Sequence, residues 1–168
     1  NKLILLYKIK MKKTTIVIIG KPNVGKSTLF NRLIGKTKSI VSSVEGVTRD
    51  RVYGRFEWLN ICFELIDTGG YIPKDRNSLN DEIKLQAEIA TNSSDLILFM
   101  IDGKSDISIN DQILTSKIKK SNKPFILVIN KIDNLNQEKD IFKFYELGMG
   151  DPVCISSESG RQIGLLLD

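Results

Sequence analysis

Residues 20–27 read Gly-Lys-Pro-Asn-Val-Gly-Lys-Ser, which fits G-x-x-x-x-G-K-[ST] with no position missing. Gly20 and Gly25 lack a Cβ, so the backbone there can bend tightly and approach an anion. Successive N–H groups of such a loop form a nest for phosphate oxygens. Lys26 brings a point charge suited to β- and γ-phosphates, and Ser27 a hydroxyl suited to Mg²⁺. The flanks agree. Thr14-Thr15-Ile16-Val17-Ile18-Ile19 is a β-branched run that reads as a buried parallel strand. Residues 27–34 have helical spacing, with Gly35 as a stop. A strand, a glycine loop and a helix N-terminus make an anion site. Gly20, Lys21, Pro22, Asn23, Val24, Gly25, Lys26, Ser27 and Thr28 are its expected phosphate-contacting segment.

A second signal lies far downstream. Asn130-Lys131-Ile132-Asp133 follows the run Phe125-Ile126-Leu127-Val128-Ile129, so it sits at the carboxyl end of a buried strand. An Asp carboxylate only accepts hydrogen bonds. It suits guanine, whose N1–H and exocyclic amine both donate, and it opposes adenine, which presents a lone pair at N1. Sites built on such pairing reject the wrong partner by up to about 10⁴–10⁵. Lys131 can lay its stem over the base, and Asn130 can tie this loop to the phosphate loop.

Between the two, Cys62-Phe63-Glu64-Leu65-Ile66 leads into Asp67-Thr68-Gly69-Gly70. An Asp at a strand end followed by glycines can hold Mg²⁺ through a water and sense a γ-phosphate. A bound guanine triphosphate with Mg²⁺ accounts for all three segments.

The rest of the chain bounds the reading. With 168 residues, the length prior gives one domain. The content, 41% hydrophobic and 27% charged, is that of a soluble globular protein. There are no histidines, which removes imidazole catalysis and His metal sites. Cys62 and Cys154 both fall in expected strands and read as two buried thiols in a reduced, cytoplasmic setting. The net charge of +5 is compatible with an RNA-rich partner. No stretch approaches the about 18 apolar residues of a membrane span, so no membrane partner is expected, and nothing points to DNA. Residues 1–10 are too short in apolar content for a signal-peptide core, and Met11-Lys12-Lys13 directly precedes the first strand. We expect residues 1–10 to be an upstream extension without a fold role and 11–168 to be the domain.

The expected order of elements alternates strand and helix. Strands are expected at 14–20, 51–59, 61–67, 95–102, 124–130 and 152–156, with a hairpin turning at Asn60. Helices are expected at 26–34, 78–92, 109–119 and 137–147. The second carries Leu79, Ile83, Ala87 and Ala90 on one face, and the third has Ile109, Ile113, Leu114, Lys117 and Ile118 on helical spacing. The fourth points Ile141, Phe144 and Tyr145 inward. Residues 162–168 open a helix, with Ile163, Leu165, Leu166 and Leu167 as its apolar positions. A polar loop at 36–51 and a mobile stretch at 68–77 are expected around the site. This is an α/β pattern, a mostly parallel six-stranded sheet with helices on both faces and one antiparallel edge strand.

The glycine loop with Thr-Leu-Phe-Asn-Arg-Leu behind it, Gly-Val-Thr-Arg-Asp-Arg at 46–51, Asp-Thr-Gly-Gly at 67–70 and Asn-Lys-Ile-Asp resemble the translation-factor-related bacterial GTPases. Asp-Thr-Gly-Gly with Phe-Tyr-Glu-Leu-Gly-Met-Gly at 144–150 resembles the first G domain of the Der (EngA) family. The resemblance implies a P-loop NTPase, Ras-like G domain that binds GTP and GDP, hydrolyses GTP and acts in assembly of the large ribosomal subunit. It implies Thr48 as a ligand of Mg²⁺ and the γ-phosphate, Asp67 as the Mg²⁺-water ligand, and Thr68, Gly69, Gly70 and Tyr71 as the γ-phosphate-sensing loop. It implies Ser156 and Ser157 as the last guanine-contacting loop. Lys26, Thr48, Gly70 and Asn23 are the groups it implies in catalysis.

Related enzymes of the Ras type carry a glutamine where this chain has Tyr71, and a phenol orients a water poorly. Arg49 and Arg51 are near in sequence but make no evident arginine finger. Slow intrinsic turnover follows, and Asn23 marks K⁺ as an expected source of the missing charge. The competing readings are the G domain of a tRNA-modifying MnmE-type GTPase, which more often has Asp-Thr-Ala-Gly, and a GTP-dependent binding module with negligible hydrolysis.

The apolar residues at 163–167 are about two turns of a helix that should lie against the sheet, so the chain is expected to be a fragment whose last helix is cut short. The sequence beyond residue 168 should carry a second Gly-x-x-x-x-Gly-Lys-Ser; a gene ending at codon 168 contradicts this. N-terminal sequencing of native protein should start at Met11, and a start before it refutes the extension.

Overall fold

The computed structural model describes residues 14–35, 52–69 and 79–168. The expectations for residues 1–10, Met11, the loop at 36–51 with Thr48, Arg49 and Arg51, and Gly70 with Tyr71 lie outside the described residues.

Strand β1 (Thr14–Ile19) runs into the glycine loop, and helix α1 (Lys26–Gly35) leaves it. A hairpin follows, β2 (Val52–Trp58) and β3 (Ile61–Asp67). Its turn residues Leu59 and Asn60 both have positive φ, 48° and 63°, the twist that suits a two-residue hairpin. Then come α2 (Leu79–Ser93), β4 (Leu96–Asp102), α3 (Ile109–Lys120) and β5 (Phe125–Asn130). A 3₁₀ helix (Gln137–Leu147), β6 (Val153–Cys154) and α4 (Ile163–Leu167) complete the described chain.

The six strands form one sheet in the order β2-β3-β1-β4-β5-β6. β2 is antiparallel to β3, and every other neighbouring pair is parallel. The unbroken apolar runs of β1, β4 and β5 are explained by burial on both faces. Val17 and Ile19 of β1, Phe99 and Ile101 of β4 and Ile129 of β5 face one core, with Ile83 and Ala90 of α2 and Leu114 and Ile118 of α3. Ile16 and Ile18, Leu98 and Met100, and Val128 face the other, with Leu29, Phe30 and Leu33 of α1 and Ile163 and Leu166 of α4.

Five expectations are corrected. The helix at 137–147 has 3₁₀ geometry, in which positions three apart eclipse each other. Ile141, Phe144 and Leu147 therefore share the inner face, and Tyr145 turns out, 43% exposed, its hydroxyl bonded to Asp151. In α3 the buried face is Asp111, Leu114, Thr115 and Ile118, while Ile109 is 71% exposed. Leu79, the first residue of α2, and Leu165, in the middle of α4, also stay exposed. Cys62 is exposed and only Cys154 is buried, because β3 is exposed at its first two residues and buried only toward its carboxyl end. The expected last strand at 152–156 is ladder-paired only at Val153 and Cys154.

Phe99 is fully buried at the centre of the sheet, and Phe142 is 75% exposed. Phe99→Ala should lower unfolding stability by about 3–5 kcal/mol, and Phe142→Ala by less than about 0.5 kcal/mol. Urea unfolding midpoints at constant slope check both.

Candidate nucleotide site

The carboxyl ends of β1, β3, β4 and β5 converge on the glycine loop. Gly20 has φ of 154°, and a Cβ there would lie 2.3 Å from the carbonyl oxygen of Met100 on β4. Asn23 and Gly25 also take positive φ, 64° and 103°. Lys26 opens α1 almost fully buried, and its Nζ donates to the carbonyls of Gly20 and Lys21 at 2.7 and 2.6 Å. Burial pushes its pKa down from the usual lysine value, and the carboxylates of Glu82 and Asp67 push it back up. A cation so confined, at the mouth of a helix whose first N–H groups lack intrahelical acceptors, attracts an anion.

Beside it lies an oxygen-rich corner. Ser27 Oγ donates to Asp67 Oδ2 at 2.6 Å, and Gly69 N–H donates to Asp67 Oδ1 at 2.7 Å. Thr68 Oγ1 donates to the carbonyl of Ile18, which fixes the end of β3 against β1. Asp67 is 2% exposed. A hydroxyl and a carboxylate at one point, next to the phosphate loop, are the hard oxygen donors that Mg²⁺ takes. Among the described residues no cluster of three or more acidic, Cys or His side chains could hold a metal without help.

The base end is a cleft of about 90 Å³ between the loops after β5 and β6. Gly25, Thr28, Lys104, Asn130, Lys131, Asp133, Ser156, Ser157 and Glu158 line it. Asn130 is buried and bonds both ways. Its Nδ2 donates to the carbonyl of Val24 at 2.8 Å, and its Oδ1 accepts from Ser157 N–H at 2.8 Å. The expected tie between the two loops is present. Lys131, at φ of 70°, reaches Asp102 Oδ2 at 2.6 Å. Ile132 is buried, and its N–H bonds the carbonyl of Ile155. Asp133 Oδ1 accepts from Ser156 Oγ at 2.8 Å and Oδ2 from Lys104 Nζ at 2.8 Å. The Lys104 hydrogen bond and then that of Ser156 hold the Asp133 carboxyl below its usual range. Its charge is therefore present above the unfolded-chain value and lost only as pH falls through the lower folded value.

The structure thus brings together Gly20–Thr28, Asp67–Gly69, Asn130–Asp133 and Ser156–Ser157, with Pro22 and Asn23 exposed at the loop tip. Four contributors escaped the sequence reading. Gln86 of α2 accepts from Gly20 N–H at 2.9 Å. Asp111 of α3 pairs with Lys21 Nζ at 2.9 Å. Arg32 of α1 donates to the carbonyls of Ser157 and Glu158. Lys104 covers Asp133. Only the capping box of Ser108 and Asp111 left a sequence signal, and it announces a helix start rather than a site.

A family profile described as a 50S ribosome-binding GTPase matches residues 15–131. The chain is similar to GTPase Der of Clostridium acetobutylicum, 49% identical over 94% of this chain and 36% of the relative. It is similar to GTPase Der of Clostridium kluyveri, 46% identical over the same shares. The chain therefore spans about a third of the length of these curated relatives. Among solved structures, Era in complex with MgGDPNP and nucleotides 1506–1542 of 16S ribosomal RNA is 35% identical with a TM-score of 0.68, over 94% of this chain and 55% of that one. The G domain of the T. maritima FeoB iron transporter is 30% identical with a TM-score of 0.65, over 93% and 95%.

Asn130→Ala removes both bonds that join the loops. It should lower apo stability by about 1–3 kcal/mol, since Ser157 N–H and the Val24 carbonyl lose a buried partner. Thermal unfolding without nucleotide checks this, and an unchanged midpoint contradicts it.

Proposed function

The chain belongs to the family of 50S ribosome-binding GTPases, and on that premise we propose that it is a GTP-binding, GTP-hydrolysing switch domain of the Der (EngA) type, working in the cytoplasm on assembly of the large ribosomal subunit. The observation that carries the reading is the joining of a phosphate loop to an acceptor-only base pocket through Asn130.

In this reading the backbone of Gly20–Thr28 and the Lys26 ammonium hold the phosphates. Ser27, Asp67 and Thr48 would hold Mg²⁺, which supplies charge neutralisation on the β- and γ-phosphate oxygens when bound. Asp133 accepts the two donors of guanine once Lys104 and Ser156 release it, Lys131 covers the base, and Asn130 and Ile132 hold the loop in place. Ser156 and Ser157 close the far edge. Thr68, Gly69, Gly70 and Tyr71 sense the γ-phosphate. Hydrolysis adds a water oxygen to the γ-phosphorus and breaks its bond to the β–γ bridging oxygen, leaving GDP and phosphate. Lys26 offsets the charge that gathers there. The resemblance to related GTPases assigns Thr48 and Gly70 to the same step. Tyr71 replaces the usual amide side chain, so intrinsic turnover is slow, and Asn23 would hold a K⁺ ion, which would supply additional positive charge when bound.

The family description supports a ribosomal partner. Era was solved with 16S ribosomal RNA, so the choice of subunit needs its own test. Pelleting with separated subunits should retain the GTP-bound protein on the large subunit, and retention on the small subunit alone overturns that assignment.

Asp133→Asn should move preference from guanine to xanthine nucleotide, because an amide can donate to the C2 oxygen. Full GTP selectivity in that variant refutes the base assignment. Single-turnover hydrolysis should run faster in KCl than in NaCl. Equal rates argue against K⁺, and no product in either salt leaves a binding module without hydrolysis.

A further inference from the structure

The two carbonyls that hold Lys26 are each braced from a different helix. Gly20, whose carbonyl accepts from Lys26 Nζ, donates its N–H to Gln86 of α2. Gln86 is 2% exposed and fixed in turn by its bond to Glu82, at 3.0 Å. Lys21, whose carbonyl is the second acceptor, sends its side chain away from the loop mouth to Asp111 of α3.

Asp111 is not an ordinary cap. Its residue is 0% exposed. Its Oδ2 takes three donors, Lys21 Nζ at 2.9 Å, Ser108 N–H at 2.9 Å and Ser108 Oγ at 2.7 Å. Its Oδ1 has no hydrogen-bond partner among the described residues. A capping box needs the Ser108 contacts only, and it works at an exposed helix start. A fully buried carboxylate is costly unless a cation pairs with it. The cation it has among the described residues is Lys21, the second residue of the phosphate loop.

We propose that Asp111 is a positioning residue for the Lys26 ammonium. It acts through the Lys21 side chain and the Lys21 carbonyl, with Gln86 bracing Gly20 in parallel. This rests on the reading of residues 20–27 as the phosphate loop. Lys26 meets the β- and γ-phosphates, so a displaced ammonium weakens contacts to those groups and spares the α-phosphate and base. The consequence is a separation of diphosphate from monophosphate affinity, which a loss of helix stability does not produce.

Three variants of the 168-residue protein separate the roles. Asp111→Asn keeps an oxygen for Ser108 and removes the ion pair. Lys21→Arg keeps the pair. Ser108→Ala removes the cap hydroxyl and keeps the pair. GDP and GMP dissociation constants are measured for each by calorimetry, with melting temperature alongside. Asp111→Asn should weaken GDP about ten-fold, the factor that corresponds to 1.4 kcal/mol, and GMP by less than about two-fold. Lys21→Arg, which keeps a cation for Asp111, should keep the wild-type GDP-to-GMP ratio whatever it does to both affinities, and Ser108→Ala should lower the melting temperature without changing that ratio. Equal losses for GDP and GMP in Asp111→Asn overturn the proposal, as does no loss, or the same ratio shift in Ser108→Ala. Wild-type protein that binds neither nucleotide overturns the phosphate-loop reading itself.

Discussion

The carboxamide of Asn130 sits where three loops meet, and the space it occupies exists because residue 25 has no side chain. A Cβ on Gly25 would lie 2.2 Å from Asn130 Nδ2. With glycine there, the amide reaches the Val24 carbonyl, 106 positions away in the chain, and its oxygen takes the Ser157 N–H. Arg32 repeats the connection from α1, donating to the carbonyls of Ser157 and Glu158. The phosphate loop, the base-reading loop and the loop after β6 are thus one hydrogen-bonded body. A ligand that touches both ends meets a preorganised cleft, and less of its binding energy goes into ordering loops.

Within that body several polar groups of the cleft already have protein partners. Lys26 donates to two carbonyls, Ser27 to Asp67, and Asp133 accepts from Lys104 and Ser156. Nucleotide binding on this account is an exchange of partners. Its net strength is the difference between the bonds formed and those released, so each such bond contributes modestly. Selectivity has a different source. A base that offers Asp133 a lone pair gives the carboxylate nothing in return for Lys104, and an acceptor left facing a lone pair once the base covers it is where discrimination comes from. The exposed Lys104–Asp133 pair is weak enough to be displaced, as surface ion pairs are.

The fold was legible where the chain is regular on the scale of a few residues. The apolar runs of β1, β4 and β5, the helix spacing behind the glycine loop and the hairpin turn all read directly. So did Gly25 and the Asn130 tie, because the chemistry of both motifs demands them. The 3₁₀ helix was not legible, since Ile141, Phe144 and Tyr145 fit a 3.6-residue period nearly as well, and only packing against β5 selects the three-residue one. Cys62 has the pattern of a buried strand residue, but how far helices cover a strand is decided by other parts of the chain. Gln86 and Asp111 looked like ordinary polar positions on amphipathic helices. Their partners, Gly20 and Lys21, lie 66 and 90 residues earlier, and no local pattern links them. Contacts of that separation are fixed by sheet order, with β1 beside β4, and become visible only in three dimensions.

The central claim is that one cleft holds a triphosphate tail and a guanine base at once. The most direct measurement is displacement of fluorescently labelled GDP from the purified protein by unlabelled GTP and ATP. Complete displacement by GTP, with none by ATP at a concentration about 10³-fold higher, is the predicted result. ATP competing as well as GTP, or labelled GDP not being retained at all, contradicts it.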